Sequence, residues 1–183
     1  MNGRRAVFLD RDGVINRALI REGRPYPPAN LAELEILPGV SEASARFRAA
    51  GFLVIIVTNQ PDLARGRQTA TVLKALHNAI AQAVLIDAIL VCGHDDPDDC
   101  VCRKPKPGML QAAAFQFRID LAASFMVGDR WRDISAGKAA GCRTFLIGDG
   151  YGERFPDPPD AVSASLIEAC RLILAERDAF VMI

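Results

Sequence analysis

The sequence predicts an α/β fold in three layers, a central parallel sheet with helices on both faces. Two observations predict it: short apolar, β-rich runs alternate with stretches of helical periodicity, and the order before residue 92 is β-α-β-α-β. A length of 183 residues adds that residues 1–183 form one domain with a sizeable core. Ala6 to Leu9 is the first strand. Pro38 opens a helix carrying Val40, Ala43, Phe47 and Ala50 at a period near 3.6, and Gly51 closes it. Phe52 to Val57 is a fully buried strand. A second helix is expected over Thr69–Val84, its inner face formed by Val72, Leu76, Ala79 and Ala83, followed by a strand over Ile86–Val91. Pro107 suits the first position of a helix reaching Arg118. Phe125–Val127 is a strand, Asp133–Ala140 a helix ended by Gly141, Thr144–Ile147 a strand, and Ala164–Glu176 the last helix. Gly23–Asn30, Gly93–Asp99 and Gly148–Pro159 read as turn-rich connections. No repeat occurs, and no insertion is long enough to form a separate cap domain.

Composition removes several function classes. Lys+Arg and Asp+Glu both number 22, so the excess basic charge that binding to a nucleic-acid backbone relies on is missing. The apolar runs Phe52–Val57 and Ala83–Cys92 fall short of the ~20 residues that span a bilayer. Arg4 and Arg5 precede only Ala6–Leu9 before Asp10 interrupts, too short for a secretion signal. A cytoplasmic monomer with reduced thiols is the expectation. Five cysteines then mean core packing or a metal site, not a disulfide framework.

In a parallel sheet of this kind ligands bind beyond the carboxyl ends of the strands, and four polar segments follow apolar runs there. Asp10-Arg11-Asp12-Gly13-Val14 ends the first strand; Thr58-Asn59 ends the second; Arg103-Lys104-Pro105 precedes a helix; Gly128-Asp129 with Asp133 follows a later strand. Alone, each reads as a solvated turn, a basic pair or a helix cap. A separate cluster, Cys92, His94, Cys100 and Cys102, places three thiols and an imidazole in one loop, residues 92–102, and matches a closed tetrahedral, structural Zn2+ site. Asp95, Asp96, Asp98 and Asp99 inside it read as solvated turn acids; Cys142 and Cys170 read as core residues, and His77 as a residue on an exposed helix face without a role.

Together, in this order, the four segments resemble the haloacid dehalogenase (HAD) superfamily of phosphotransferases, over about Val7–Gly141. The resemblance implies the Rossmann-like HAD fold and a Mg2+-dependent phosphatase. Asp10 would be the nucleophile forming an aspartyl-phosphate, and Asp12 would protonate the leaving alcohol and then activate water. Thr58 and Lys104 would hold the phosphoryl oxygens. Mg2+ would take Asp10, the Asp12 carbonyl and Asp129, with Asp133 supporting from behind through water or Lys104. The zinc loop running into Arg103-Lys104-Pro105 is further similar to the D-glycero-D-manno-heptose 1,7-bisphosphate phosphatases and the related histidinol-phosphatase domains. That resemblance implies a small phosphorylated sugar as substrate, with Arg11, Asn16, Asn59, Arg65 and Arg103 as binding residues. One departure stands out: the family reads Thr-Asn-Gln-Ser-Gly where this chain has Thr58-Asn59-Gln60-Pro61-Asp62. The alternatives are a histidinol phosphate phosphatase or another small sugar-phosphate phosphatase, then a zinc-stapled HAD-like binding module without turnover, and last a phosphatase of nucleic-acid ends. The intact pair Asp10 and Asp12 argues against the second, and the neutral charge against the third.

Overall fold

The computed structural model describes residues 3–181, with side chains described through residue 176. Six parallel strands make the main sheet: β1 (Arg5–Leu9), β4 (Phe52–Asn59), β5 (Ala88–Cys92), β6 (Phe125–Gly128), β7 (Arg143–Ile147) and β8 (Ala161–Ser163), in the order β5-β4-β1-β6-β7-β8. The helices are α1 (Val40–Ala49), α2 (Ala70–Ala83), α3 (Gly108–Phe117), α4 (Trp131–Ala140) and α5 (Leu166–Val181). A separate antiparallel hairpin, β2 (Leu19–Arg21) and β3 (Arg24–Tyr26), stands after β1.

Because side chains alternate along a strand, β1 feeds two cores. Val7 and Leu9 join Val54, Ile56, Val127 and Phe145 under α1 and α5, against Val40, Phe47, Ala169 and Ile173. Ala6 and Phe8 join Ile55, Val57 and Met126 on the other face, against Met109, Leu110 and Ala113 of α3 and Ala136 of α4. At the amino ends of the strands, Phe47, Phe52, Phe125 and Phe145 form a chain of edge-to-face contacts, with centroids 6.3, 5.9 and 6.0 Å apart. This pins the end of the sheet remote from the polar strand termini. Register aligns the other end: Leu9 lies opposite both Ile56 and Val127, so Thr58 and Asp129 emerge at one level, one residue beyond Asp10.

The structure departs from the sequence expectations at several elements. Arg24–Tyr26 is a strand of the hairpin although it falls in a segment read as turn, and Ala161–Ser163 is an edge strand where none is expected. Both are three residues long, and β3 contains Pro25, so neither leaves a periodic signal. The buried face of α2 is Leu73, Leu76 and Ile80, with Ala83 exposed. Apolar residues occupy more than one side of that helix, and the larger side chains win the core. Pro107 is the N-cap of α3 rather than its first residue, α4 starts at Trp131, and α5 runs from Leu166. Among the described residues no helix is long and apolar enough to cross a membrane.

Candidate active site

The carboxyl ends of β1, β4 and β6 enclose a cleft of about 100 Å³ lined by Asp10, Asp12, Thr58, Asn59, Lys104, Asp129 and Asp133, with Pro25 and Tyr26 of the hairpin at its mouth. Such convergence beyond the strand ends is what a doubly wound sheet offers a ligand. Asp10 continues β1, its N–H donating to the Val127 carbonyl at 2.9 Å. The chain then doubles back: Gly13 takes φ 88°, and Ile15 and Asn16 N–H groups donate to the Arg11 carbonyl.

Lys104 is the hub of the cleft. Its Nζ, 2% exposed, donates to Asp10 Oδ1 at 2.7 Å, to Asp133 Oδ1 at 2.5 Å and to the Val57 carbonyl at 2.8 Å. Asn59 fixes the backbone that carries it: Asn59 Nδ2 donates to the Lys104 carbonyl at 2.9 Å, and the Lys104 N–H donates to Asn59 Oδ1 at 3.1 Å. Burial works against the Lys104 ammonium, but the charges of Asp10 and Asp133 outweigh it and hold its pKa above the ordinary lysine value. Burial pushes the Asp10 carboxyl up to about 7; Lys104 opposes this, while Asp133 and Asp12 add to it. Burial and the charges of Asp10 and Asp133 likewise raise Asp129 well above the carboxylate range.

Asp12 carries the densest set of donors. Arg11 forks onto it from Nε at 3.1 Å and Nη2 at 2.8 Å, Asn16 Nδ2 reaches it at 3.0 Å, and Gln60 Nε2 at 2.9 Å. Gln60 also donates to Thr58 Oγ1 at 2.8 Å, tying the β4 end to Asp12. Sequence reasoning left Gln60 unassigned although it follows directly on Thr58-Asn59. It also missed Tyr151, whose hydroxyl donates to Asp129 Oδ2 at 2.7 Å, and Arg130 and Arg132, which line the cleft.

Four residues expected to contact substrate are engaged within the protein. Arg11 and Asn16 are 0% exposed and have no surface to offer a substrate; their side chains hold Asp12. Arg65 forms a double hydrogen bond with Asp95, 2.6 Å each, beside Asp62 of the divergent turn. Arg103 is tied to Asp96 at 2.7 Å and to the His94 carbonyl, and lines a neighbouring hollow with Lys106 and Arg132. Asp95, Asp96 and Asp99 are therefore ion-pair partners rather than free turn acids, and Arg65, Arg103 and Lys106 respectively hold them below the usual carboxylate range. His77 also departs from expectation: it is half-buried, with Nε2 3.1 Å from Arg11 Nη1.

Two groups have the donor sets of metal sites. Oxygens of Asp10, Asp129 and Asp133 all lie within 4.8 Å of one another, and Asp129 Oδ1 is buried without a hydrogen-bond partner. Three carboxyls share one ammonium in a buried cluster, which holds Asp10 and Asp129 above the carboxylate range, and a hard divalent cation with oxygen ligands supplies the missing positive charge. The residues thus fit Mg2+. In the loop after β5, the Cys92, Cys100 and Cys102 sulfurs are 3.4–3.6 Å apart, and His94 Nδ1 is 3.7 Å from Cys92 and 3.4 Å from Cys102. A tetrahedral zinc with bonds near 2.3 Å separates its sulfurs by about 3.8 Å, so these four residues fit Zn2+ with little movement. Cys142 and Cys170 are buried in the core.

A parallel sheet bearing paired acids, a lysine and a carboxylate cluster at its carboxyl edge defines a hydrolase of the HAD class, and the HAD-hydrolase-like family model matches residues 101–169. The D-glycero-beta-D-manno-heptose-1,7-bisphosphate 7-phosphatase of Bordetella bronchiseptica is 38% identical over 156 residues, 81% of this chain and 83% of that protein. The protein of the same name from Vibrio cholerae is 37% identical over 178 residues, 91% and 92% of the two chains. The crystal structure of the B. bronchiseptica D,D-heptose 1,7-bisphosphate phosphatase complexed with magnesium and phosphate superposes with a TM-score of 0.81, at 35% identity, covering 94% of this chain and 99% of that one. The chain belongs to this phosphatase family of HAD-type enzymes.

Proposed function

We propose that the chain, working as one phosphatase domain in the cytoplasm, hydrolyses the 7-phosphate of D-glycero-D-manno-heptose 1,7-bisphosphate. The observation that carries the chemistry is the bridge from Lys104 to Asp10 and Asp133 inside the cleft, next to the orphan oxygen of Asp129. The substrate reading rests on the relatives, which carry that name over most of this chain.

Asp10 attacks phosphorus with the oxygen that Lys104 leaves free, forming an aspartyl-phosphate. Lys104, with Thr58 at the neighbouring strand end, faces the negative charge that spreads over the phosphoryl oxygens in the transition state. Asp12 takes up a proton from solvent as substrate binds, gives it to the leaving sugar oxygen and then takes one from the water that cleaves the intermediate. Arg11, Asn16 and Gln60 keep its carboxylate in one orientation through both steps. Mg2+, held by Asp10, Asp129 and the Asp12 carbonyl with Asp133 behind, would neutralise the anionic phosphate and the carboxylate that attacks it. Zn2+ on Cys92, His94, Cys100 and Cys102 would fix the loop that leads to Arg103 and Lys104. Arg103 reaches the distal phosphate by exchanging Asp96 for it, an anion for an anion.

The test is phosphate release with Mg2+ from both anomers of the heptose bisphosphate, histidinol phosphate and common sugar phosphates. A kcat/KM preference of at least about a hundredfold for a heptose bisphosphate, roughly 2.7 kcal/mol, is expected, with Asp10→Asn inactive. Flat activity across the panel overturns the substrate; an active Asp10→Asn overturns the nucleophile.

A further inference from the structure

The turn after β7 reaches back into the carboxylate cluster with one side chain. Tyr151 Oη donates to Asp129 Oδ2 at 2.7 Å, while Asp129 Oδ1, buried alongside Asp10 and Asp133, has no partner. The backbone is bent to deliver that hydroxyl. Tyr151 sits at φ 57°, between Gly150 at φ 70° and Gly152 at φ 68°, and its N–H is held by the Asp149 carboxylate at 3.0 Å. A bulky residue in the left-handed region costs about 1 kcal/mol or more, and such strain concentrates where a side chain has a task. A second tie runs in parallel, from the Arg130 guanidinium to Glu153 of the same turn, so residues 129 and 130 are both clasped by it. Gly13 leaves the room for this: a Cβ there would stand 1.8 Å from Asp129 Oδ2 and 3.0 Å from Tyr151 Oη.

We infer that Tyr151 is a positioning residue for the divalent cation: by occupying Oδ2 it fixes the Asp129 carboxylate so that Oδ1 alone is presented to the ion. Asp129 is then a pre-oriented single-oxygen ligand, and the freedom to swing, or to offer both oxygens, is removed before the cation arrives. Groups that orient a metal ligand from behind in this way typically set its affinity by ten- to a hundredfold. The inference rests on the proposed Mg2+ site at Asp10 and Asp129, and the experiment separates the two.

Zinc-loaded full-length protein without substrate is titrated with Mn2+, free Mn2+ being followed by its electron paramagnetic resonance signal, and Mg2+ is then added as competitor. Tyr151→Phe, which removes only the oxygen, should weaken Mn2+ at least about tenfold while its melting temperature without divalent cation stays near that of the parent. Tyr151→Gly, which suits the left-handed backbone and relieves the strain, should lose affinity as much. Asp129→Asn should weaken Mn2+ more than either. If both Tyr151 variants bind within twofold of the parent while Asp129→Asn has lost the ion, Tyr151 does not position the ligand. If Asp129→Asn also binds like the parent, the cation site itself is misplaced and the inference falls with it.

Discussion

Single side chains around Asp12 show how charge is kept in register inside this molecule. Arg11 is fully buried, and besides Asp12 its guanidinium meets His77 Nε2 at 3.1 Å. An arginine that is always protonated accepts no proton from the imidazole, so His77 serves as acceptor and must be neutral. Burial and the neighbouring Arg11 charge depress its pKa to about 4, against an ordinary value of 6.5. The linkage sign follows: below pH 6.5 the unfolded chain takes up a proton that the folded one refuses, so stability is full above that value and is lost as the pH falls toward 4. Discounted for partial exposure, the loss is about 1 kcal/mol. In urea titrations across this window, His77→Gln, which offers an amide oxygen to Arg11 and does not titrate, should show a flatter stability profile than the parent. Parallel profiles would mean that His77 does not bear this proton linkage. Nothing in the spacing of α2 reveals the pairing, because the partner arrives from residue 11, across the sheet.

At the scale of elements, the zinc loop shows which force holds a segment with little core of its own. Its ion pairs, Arg65 with Asp95, Arg103 with Asp96 and Lys106 with Asp99, each have a solvent-facing partner and hold the loop only weakly. Three sulfurs at 3.4–3.6 Å are free cysteines without disulfides, and a cation joining them outweighs those pairs. Removing zinc, or Cys100→Ser, should therefore lower the melting temperature by roughly 5–15 °C, measured by calorimetry alongside bound-zinc analysis. An unchanged melting point in zinc-free protein would refute a structural ion. This loop was legible in the sequence because its ligands are close along the chain. So were β1, β4 and β6, whose apolar runs end in the polar residues that build the cleft, and the apolar run of β7. The hairpin and β8 were not, since three residues carry too little hydrophobic pattern. Tyr151 lies in a glycine-rich turn where spacing predicts only a change of direction. The pairings of Arg65 with Asp95 and of Arg103 with Asp96 were not legible, because a sequence does not display which aspartates engage an arginine.

The whole molecule sets an apolar sheet against a charged apex. Strand register lifts Asp10, Thr58 and Asp129 to within one residue of a common level, and α4 brings Asp133 beneath them, past Gly128, where a Cβ would stand 2.1 Å from that of Asp133. The two cores supply the stability that lets this edge bury three carboxyls beside one ammonium, and in the metal-free protein burial and mutual repulsion raise Asp10 and Asp129. A cation should then stabilise the entire fold by mass action. At a hundred times its Kd, Mg2+ adds about 2.7 kcal/mol, a rise of roughly 5–10 °C in melting temperature for a chain of this length. Asp129→Asn divides the two effects. Asp129→Asn removes a carboxyl that folding must bury either charged or with a proton taken up, so the metal-free protein should melt higher, while the increment on adding Mg2+ should disappear. Opposite signs in one variant, read by scanning calorimetry with and without Mg2+, are what a site that sacrifices stability for cation binding produces. A variant that melts lower than the parent without metal, or that keeps the full Mg2+ increment, would show that the repulsion at this apex is not what the cation relieves.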